Sequence, residues 1–431
     1  MSAGLVSSLL GVGAALAVLV LALLLARRAP RVAVLLALAT VCFVPVWLGA
    51  NLGFNGNLFV PAAVLACLAV AVVLLPIRGF RLSPVDGLLA FLLTLAASSL
   101  LTSEPTLAMS FLITPFTYFV AGYALGRIAT ARVGADFIYR AIGILFTVVA
   151  VLVIIEFLTG FNPFIGLRTN GVLFTEWGDI QLRGGYARAE GAFGHSIALG
   201  ASLALAVPLT LASGFRFPLR LGMTITMLAA TVVTFSRIGI ICAFLGVVLA
   251  ALLLREHLST AHRAVLLVGG AVIALAMLPL VTAVFSDAGE EAEASAAYRG
   301  DLFPLISQAN LVGFSDVVSR STDGSLRFGG FRSIDSQLVL TGMTTGLLAL
   351  VAVAIAVIVA VALCLRRRAE PGTIAIVAQL PALATVALIT QYSVMLWLVI
   401  GVAATTQLAA RARVASLPYL TAPVPNPTPG D

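Results

Sequence analysis

Seven arginines, Arg168, Arg183, Arg188, Arg299, Arg320, Arg327 and Arg332, fall in two polar stretches, 160–194 and 286–334, of an otherwise apolar chain. A guanidinium stays charged throughout the physiological range, and its planar fork pairs with two phosphate oxygens at once. Arginines gathered in polar loops between apolar runs therefore point to an anionic substrate at a membrane surface. Asp335 stands where the second stretch meets a long apolar run, placed to take a proton from a hydroxyl. The plainer reading is a helix cap, because a carboxylate at a helix start accepts free N–H groups and meets the positive end of the dipole.

Three further motifs frame these residues. Arg188-Ala-Glu-Gly-Ala-Phe-Gly-His195 closes the first stretch with a cation, an acid and an imidazole among glycines, although a lone histidine at a helix start is often only a polar cap. Thr234-Phe-Ser236-Arg237-Ile-Gly239 is a very short break between apolar runs, where an arginine is costly unless paired or hydrated by a cavity. The second stretch opens with Asp287, Glu290, Glu291 and Glu293, whose spacing lacks the alternation of a calcium loop, so no metal is expected. Tyr298-Arg299 and Phe328-Gly-Gly-Phe-Arg332 follow, with aromatics suited to stacking on sugar rings or to anchoring a loop at a bilayer surface. Then come Ser333-Ile-Asp335-Ser336-Gln337, Gly342 and Gly346.

The elements that must position these groups are membrane helices. The chain is 61% hydrophobic and 10% charged, with mean hydropathy +1.12, whereas a soluble domain carries about 25% charged residues. Continuous apolar runs of about 20 residues suit helices, since lipid offers no partner for backbone polar groups. The fold class expected is all-α and polytopic, with about 12–13 spans. They divide into N-terminal helices over 1–159, a loop over 160–194, central helices over 195–285, a large loop over 286–334, C-terminal helices over 335–410 and a proline-rich cytoplasmic tail over 411–431. The first run, near 3–26, has no preceding basic residue and is expected to remain in the membrane rather than be cleaved.

Outside the two loops, every second break is basic: Arg27, Arg28 and Arg31; Arg78 and Arg81; Arg127, Arg132 and Arg140; Arg216 and Arg220; Arg255 and Arg263; Arg366 to Arg368; Arg411 and Arg413. The positive-inside rule makes these cytoplasmic and places both loops, with the Ser236–Arg237 turn, outside. The net charge of +7 sits mostly in these flanks and does not indicate nucleic acid. Cys42, Cys67, Cys242 and Cys364 lie in apolar runs without C-x-x-C spacing, which argues against a disulfide framework or a zinc site. No glycine-rich phosphate loop supports nucleotide hydrolysis.

The order of these parts resembles the O-antigen ligase and polymerase superfamily of bacterial envelope glycan assembly. Arg188 with Gly191 and His195, Ser236-Arg237-Ile-Gly239, Tyr298-Arg299, and Asp335-Ser-Gln337 with Gly342 and Gly346 occupy the family's motif places. Each motif is short; their order carries the likeness. Ligases of the family typically show His at the loop-to-helix junction, and Asp335 there looks more like the polymerase and exopolysaccharide branch.

The resemblance implies glycosyl transfer at the outer leaflet of the plasma (inner) membrane. The donor would be a polyprenyl-diphosphate-linked oligosaccharide and the acceptor a glycan or a lipid-linked repeat unit, with no cofactor and no obligatory metal. It implies Arg237, Arg299 and Asp335 as catalytic residues, with Arg188, His195, Ser236, Tyr298, Arg332 and Gln337 binding substrate. Attack at the anomeric carbon would invert it. The scheme leaves room for a chain-length regulator. A flippase for lipid-linked sugars would share the polytopic, arginine-rich character, but no duplicated halves with matching broken helices are visible. A peptidoglycan polymerase of the shape, elongation, division and sporulation type usually has fewer spans, and a purely structural scaffold would not explain the outer arginines.

Overall fold

The computed structural model describes residues 27–52, 58–77, 79–102, 105–287, 297–298, 300–320 and 326–415. The expected span near 3–26, residues Glu290 to Glu293, Arg299 and the tail beyond residue 415 lie outside them. The described residues are 73% helical, and their strands form three two-stranded hairpins. After α1 (Pro30–Phe43), β1 (Gly49–Leu52) pairs with β2 (Leu58–Pro61). There follow α2 (Ala62–Val73), α3 (Pro84–Thr102), α4 (Pro105–Thr114), a π-helical turn (Pro115–Phe119), α5 (Val120–Val133) and α6 (Ala135–Thr159). The first loop holds α7 (Val172–Trp177) and the hairpin β3 (Leu182–Arg183) with β4 (Tyr186–Ala187). Next come α8 (Ser196–Ala212), α9 (Phe217–Val233), α10 (Arg237–Leu253) and α11 (Thr260–Asp287). The second loop carries β5 (Val318–Arg320) and β6 (Leu326–Phe328), and the chain continues through α12 (Gln337–Thr345), α13 (Leu347–Leu365), α14 (Pro371–Ala378), α15 (Leu380–Thr385) and α16 (Thr390–Ala415).

Five described helices are long and apolar enough to cross a membrane, and seven shorter apolar helices accompany them. Three apolar runs long enough to be expected as single spans, near 58–76, 335–364 and 373–390, are not single helices. The run near 58–76 opens as strand β2, and the one near 335–364 breaks at Gly346. The run near 373–390 breaks before Pro381, which has no N–H to continue a helix, and is extended at Val386. Hydropathy registers burial from water but not these interruptions. Val351, Ile355, Ile358 and Val359 on α13 are exposed, as are Val268, Val272 and Leu275 on α11. Such surfaces would drive association in water and are ordinary against lipid.

Helix α8 is the hub. Every residue but Ile197 is buried, which is expected of a helix apolar all round. Helix α16 lies close along α5, because Gly122 and Gly126 present bare backbone to Val394 and Leu398. A Cβ at Gly126 would come within 2.1 Å of the Leu398 carbonyl oxygen. Small residues at such a crossing let two helices gain contact without a hydrophobic driving force in lipid.

The basic breaks meet at one end of the bundle. Arg27 Nε donates to the Val73 carbonyl, Arg220 to those of Leu211 and His257, and Gln407 to that of Arg368. Arg127 makes a two-pronged ion pair with Asp86 at 2.9 and 2.7 Å and also donates to the Arg81 carbonyl. At the other end of the same helices, Trp47 Nε1 donates to the Leu167 carbonyl and the backbone N–H of Gln337 to that of Val386. Both polar loops lie at this second end.

Candidate functional site

The first loop folds onto the turn between α9 and α10. Arg188 is 5% exposed and its Nε donates to the Thr234 carbonyl at 3.1 Å, while Nη1 donates to Gln181 Oε1. Arg183 Nη1 donates to the Phe235 carbonyl at 3.3 Å. Both guanidiniums thus sit where α9 ends, satisfying carbonyls that a helix terminus leaves open and favoured by its negative pole. Phe235 takes φ +48 between the rings of Phe157 and Tyr186, a backbone state that the packing must hold.

Ser236 caps α10, its Oγ accepting the Gly239 N–H at 3.1 Å. Arg237 follows as the first helical residue and is exposed. A cation at that pole opposes the helix dipole, so helix stability does not explain it. Arg183, Arg188 and Arg237 therefore converge on one four-residue turn.

His195 caps α8 by accepting the Ile197 N–H on Nδ1 at 3.1 Å, so the neutral ring carries its hydrogen on Nε2. Burial, helped by the charge of Arg188, lowers this imidazole to about 3. At neutral pH His195 is a hydrogen-bond donor rather than a cation. Glu190 is 1% exposed, and burial raises its carboxyl to about 7 against the N–H of Gln181 and the charge of Arg188.

The second loop is stitched to the break between α12 and α13. Gly313 and Ser315 donate to the carbonyls of Thr345 and Met343, and Leu347 and Leu348 donate back to those of Asn310 and Leu311. Tyr298 Oη donates to the Ser333 carbonyl at 2.6 Å and meets Phe331 edge-on. Ser333 Oγ lies 3.4 Å from Asp335 Oδ1. The helix cap is Ser336, whose Oγ accepts the Val339 N–H, so Asp335 stands one residue before the cap. Gln337 binds its side chain to the Leu388 N–H and to Thr341. Of Arg320, only the strand backbone is described.

Arg332, Ser333 and Gln337 line the mouth of a cavity of about 890 Å³ between α3, α12, α13 and α16. Its wall is mostly apolar, with Leu92, Val357 and Trp397 along it, and Phe111, Phe314 and Phe328 packed edge-on near the mouth. Along α16 it runs from Leu396 to Arg411, roughly 22 Å at helical rise, which covers most of a hydrocarbon core about 30 Å thick. From the first loop, Leu173 and Glu176 line the same mouth. Trp177, next in sequence, meets His195 edge-on at 5.6 Å, which ties α7 to the end of the first loop where α8 begins.

Sequence reasoning missed three residues. Glu156, at the end of α6, accepts the N–H groups of Glu190 and Gly191 and the amide of Asn162, and so fixes the loop's return. Its signal was a carboxylate in the last turn of a long apolar helix. Glu176 sits in an unremarked Phe-Thr-Glu-Trp segment. Gln391, between two apolar runs, is a buried tie between segments distant in sequence. No protein-family model matches the chain, and no curated protein matches it.

Proposed function

We propose that the protein is a membrane glycosyltransferase of the O-antigen ligase and polymerase type, with the two-loop end outside the cell. The donor is a polyprenyl-diphosphate-linked oligosaccharide. The observation that carries this reading is the membrane-deep apolar groove whose mouth combines Glu176 from the first polar loop, Arg332 and Ser333 from the second, and Gln337 at the start of α12. An isoprenoid tail needs an apolar channel, a diphosphate needs cations at its mouth, and the reacting sugars need a polar space above.

In this scheme the tail lies in the groove and the diphosphate meets Arg332, with Arg237 and Arg299 as the further cations implied by the resemblance. His195 offers a neutral donor. Arginines stabilise the departing diphosphate because they remain charged from ground state to product. The attacking hydroxyl loses its proton to a carboxylate, for which the two loops offer Asp335 and Glu176. A polymerase is favoured over a ligase by Asp335 standing where ligases typically carry His.

The test is the purified protein in lipid with a polyprenyl-diphosphate oligosaccharide and no nucleotide sugar. Longer lipid-linked glycan in a ladder, with released polyprenyl diphosphate, is expected. The groove's reach between faces, with Arg332 at one end and Arg411 at the other, also favours a second reading as a lipid-linked sugar flippase. Translocation of labelled donor across the vesicle without any transfer would establish that alternative.

A further inference from the structure

The short helix α7 is locked into the bundle on one face and lines the groove with the other. Phe174 meets Trp47 edge-on at 5.5 Å and Trp177 meets His195 at 5.6 Å, an i, i+3 pair turned into the bundle. Trp47 is itself pinned through its indole N–H to Leu167. The Trp177 carbonyl passes so near Gly194 that a Cβ there would sit 2.9 Å from it. The other i, i+3 pair, Leu173 and Glu176, lines the groove mouth with Arg332 and Ser333. A carboxylate is thus held by aromatic packing against the wall where the diphosphate of a lipid-linked donor would lie.

Resting on the glycosyl-transfer reading, we propose that Glu176 is the catalytic residue that takes the proton of the attacking hydroxyl. Asp335 does not line the groove. It stands behind Ser333, whose carbonyl is engaged by Tyr298, and its place is to position the strand leading into the Ser336 cap. Glu176 is exposed, and the partial desolvation that its surroundings impose raises its carboxyl above the usual range, towards the basicity useful at neutral pH. Tyr118, from the π-helical turn, is near enough for its charge to couple to Glu176, and Arg332 lines the same cavity.

The step balances as a displacement. The hydroxyl proton passes to Glu176, the freed oxygen pair bonds to the anomeric carbon, and the bond from that carbon to the diphosphate oxygen breaks. Its electron pair leaves on the diphosphate beside Arg332. Protonated Glu176 returns its proton to solvent before the next turnover.

The experiment compares wild type, Glu176→Gln, Glu176→Asp and Asp335→Asn in lipid, with a fluorescent polyprenyl-diphosphate oligosaccharide as donor. Donor affinity and single-turnover transfer are measured from about pH 5.5 to 8.5, and a base of this kind contributes roughly 100-fold or more. Expected are a loss of that size in Glu176→Gln with donor affinity within about threefold, loss of the acid limb of its pH profile, and partial recovery in Glu176→Asp. Asp335→Asn should lose less than about tenfold. Full transfer with an intact acid limb in Glu176→Gln, or the whole loss falling on Asp335→Asn, would overturn the assignment. Inactive Glu176→Gln and Glu176→Asp that both fail to bind donor would overturn it in favour of a structural role. Wild type that binds donor but transfers nothing would instead sink the glycosyl-transfer reading, and Glu176's role with it.

Discussion

The side-chain amide of Gln391 donates to the carbonyl of Ala192 at 2.7 Å, and the same nitrogen donates to that of Val44 at 3.0 Å. One buried side chain at the start of α16 therefore joins the end of the first loop to the segment after α1. Replacing it by leucine leaves two carbonyls without that donor inside the bundle, a loss of about 3 kcal/mol. Gln391→Leu should unfold at a markedly lower denaturant concentration in detergent and expose 160–194 to protease. An unchanged midpoint would show that the carbonyls find other partners.

Glu190 gives the protein a pH-dependent stability whose sign follows from burial. Its carboxyl is raised to about 7 from an ordinary value of 4.5, so the unfolded chain loses this proton first as pH rises. The contribution is complete below about pH 4.5 and is lost as pH climbs through 7, by on the order of 3 kcal/mol at most. Glu190→Gln keeps an oxygen for the Gln181 N–H and cannot ionise. It should be more stable than wild type at pH 8 and about equal at pH 5, as read by thermal unfolding. Parallel pH slopes for the two proteins would refute this.

The membrane character and the gathering of basic breaks at one end were legible because composition and arginine spacing report burial and helix ends directly. Arg188 and Ser236 were legible as residues in loops and turns, but not as partners of the Thr234 carbonyl and the Gly239 N–H. Those contacts depend on how α9 and α10 meet. Asp335 looked like the cap because it directly follows the loop; register by one residue gives the cap to Ser336. Glu176 was illegible, since α7 is too short to show periodicity and its facing is set by Trp47 and His195, which are remote in sequence. The broken spans escaped for a similar reason: Gly346 interrupts an apolar run without changing its hydropathy.

That glycine supports a specific prediction. Gly346 has φ +101, and a Cβ would come within 2.7 Å of the Leu311 oxygen and Val312 Cα. Alanine there must both adopt a strained backbone and push the second loop away, at about 1–3 kcal/mol for the strain alone. Gly346→Ala should weaken the four backbone hydrogen bonds between 310–315 and 343–348. Hydrogen exchange of Gly313, Ser315, Leu347 and Leu348 should quicken locally while α8 stays protected. Uniform exchange across the chain would point to global destabilisation instead.

The groove itself can be filled without touching its polar mouth. Ala356 on α13 lines the cavity and is half-buried, with its neighbours Ile355 and Ile358 exposed on the outer side of the helix. Tryptophan at 356 adds a ring to the channel in a place where the helix has room to move outward into lipid, so the fold should survive. If an isoprenoid tail occupies the groove, Ala356→Trp should raise KM at least about tenfold for a long-chain polyprenyl-diphosphate donor, the effect of losing about 1.4 kcal/mol of binding. A donor whose lipid is cut to one or two isoprene units does not reach this depth, and its KM should change little. An equal rise for both donors would mean that the substitution disturbs the mouth. No change for either would mean that the tail runs outside the groove.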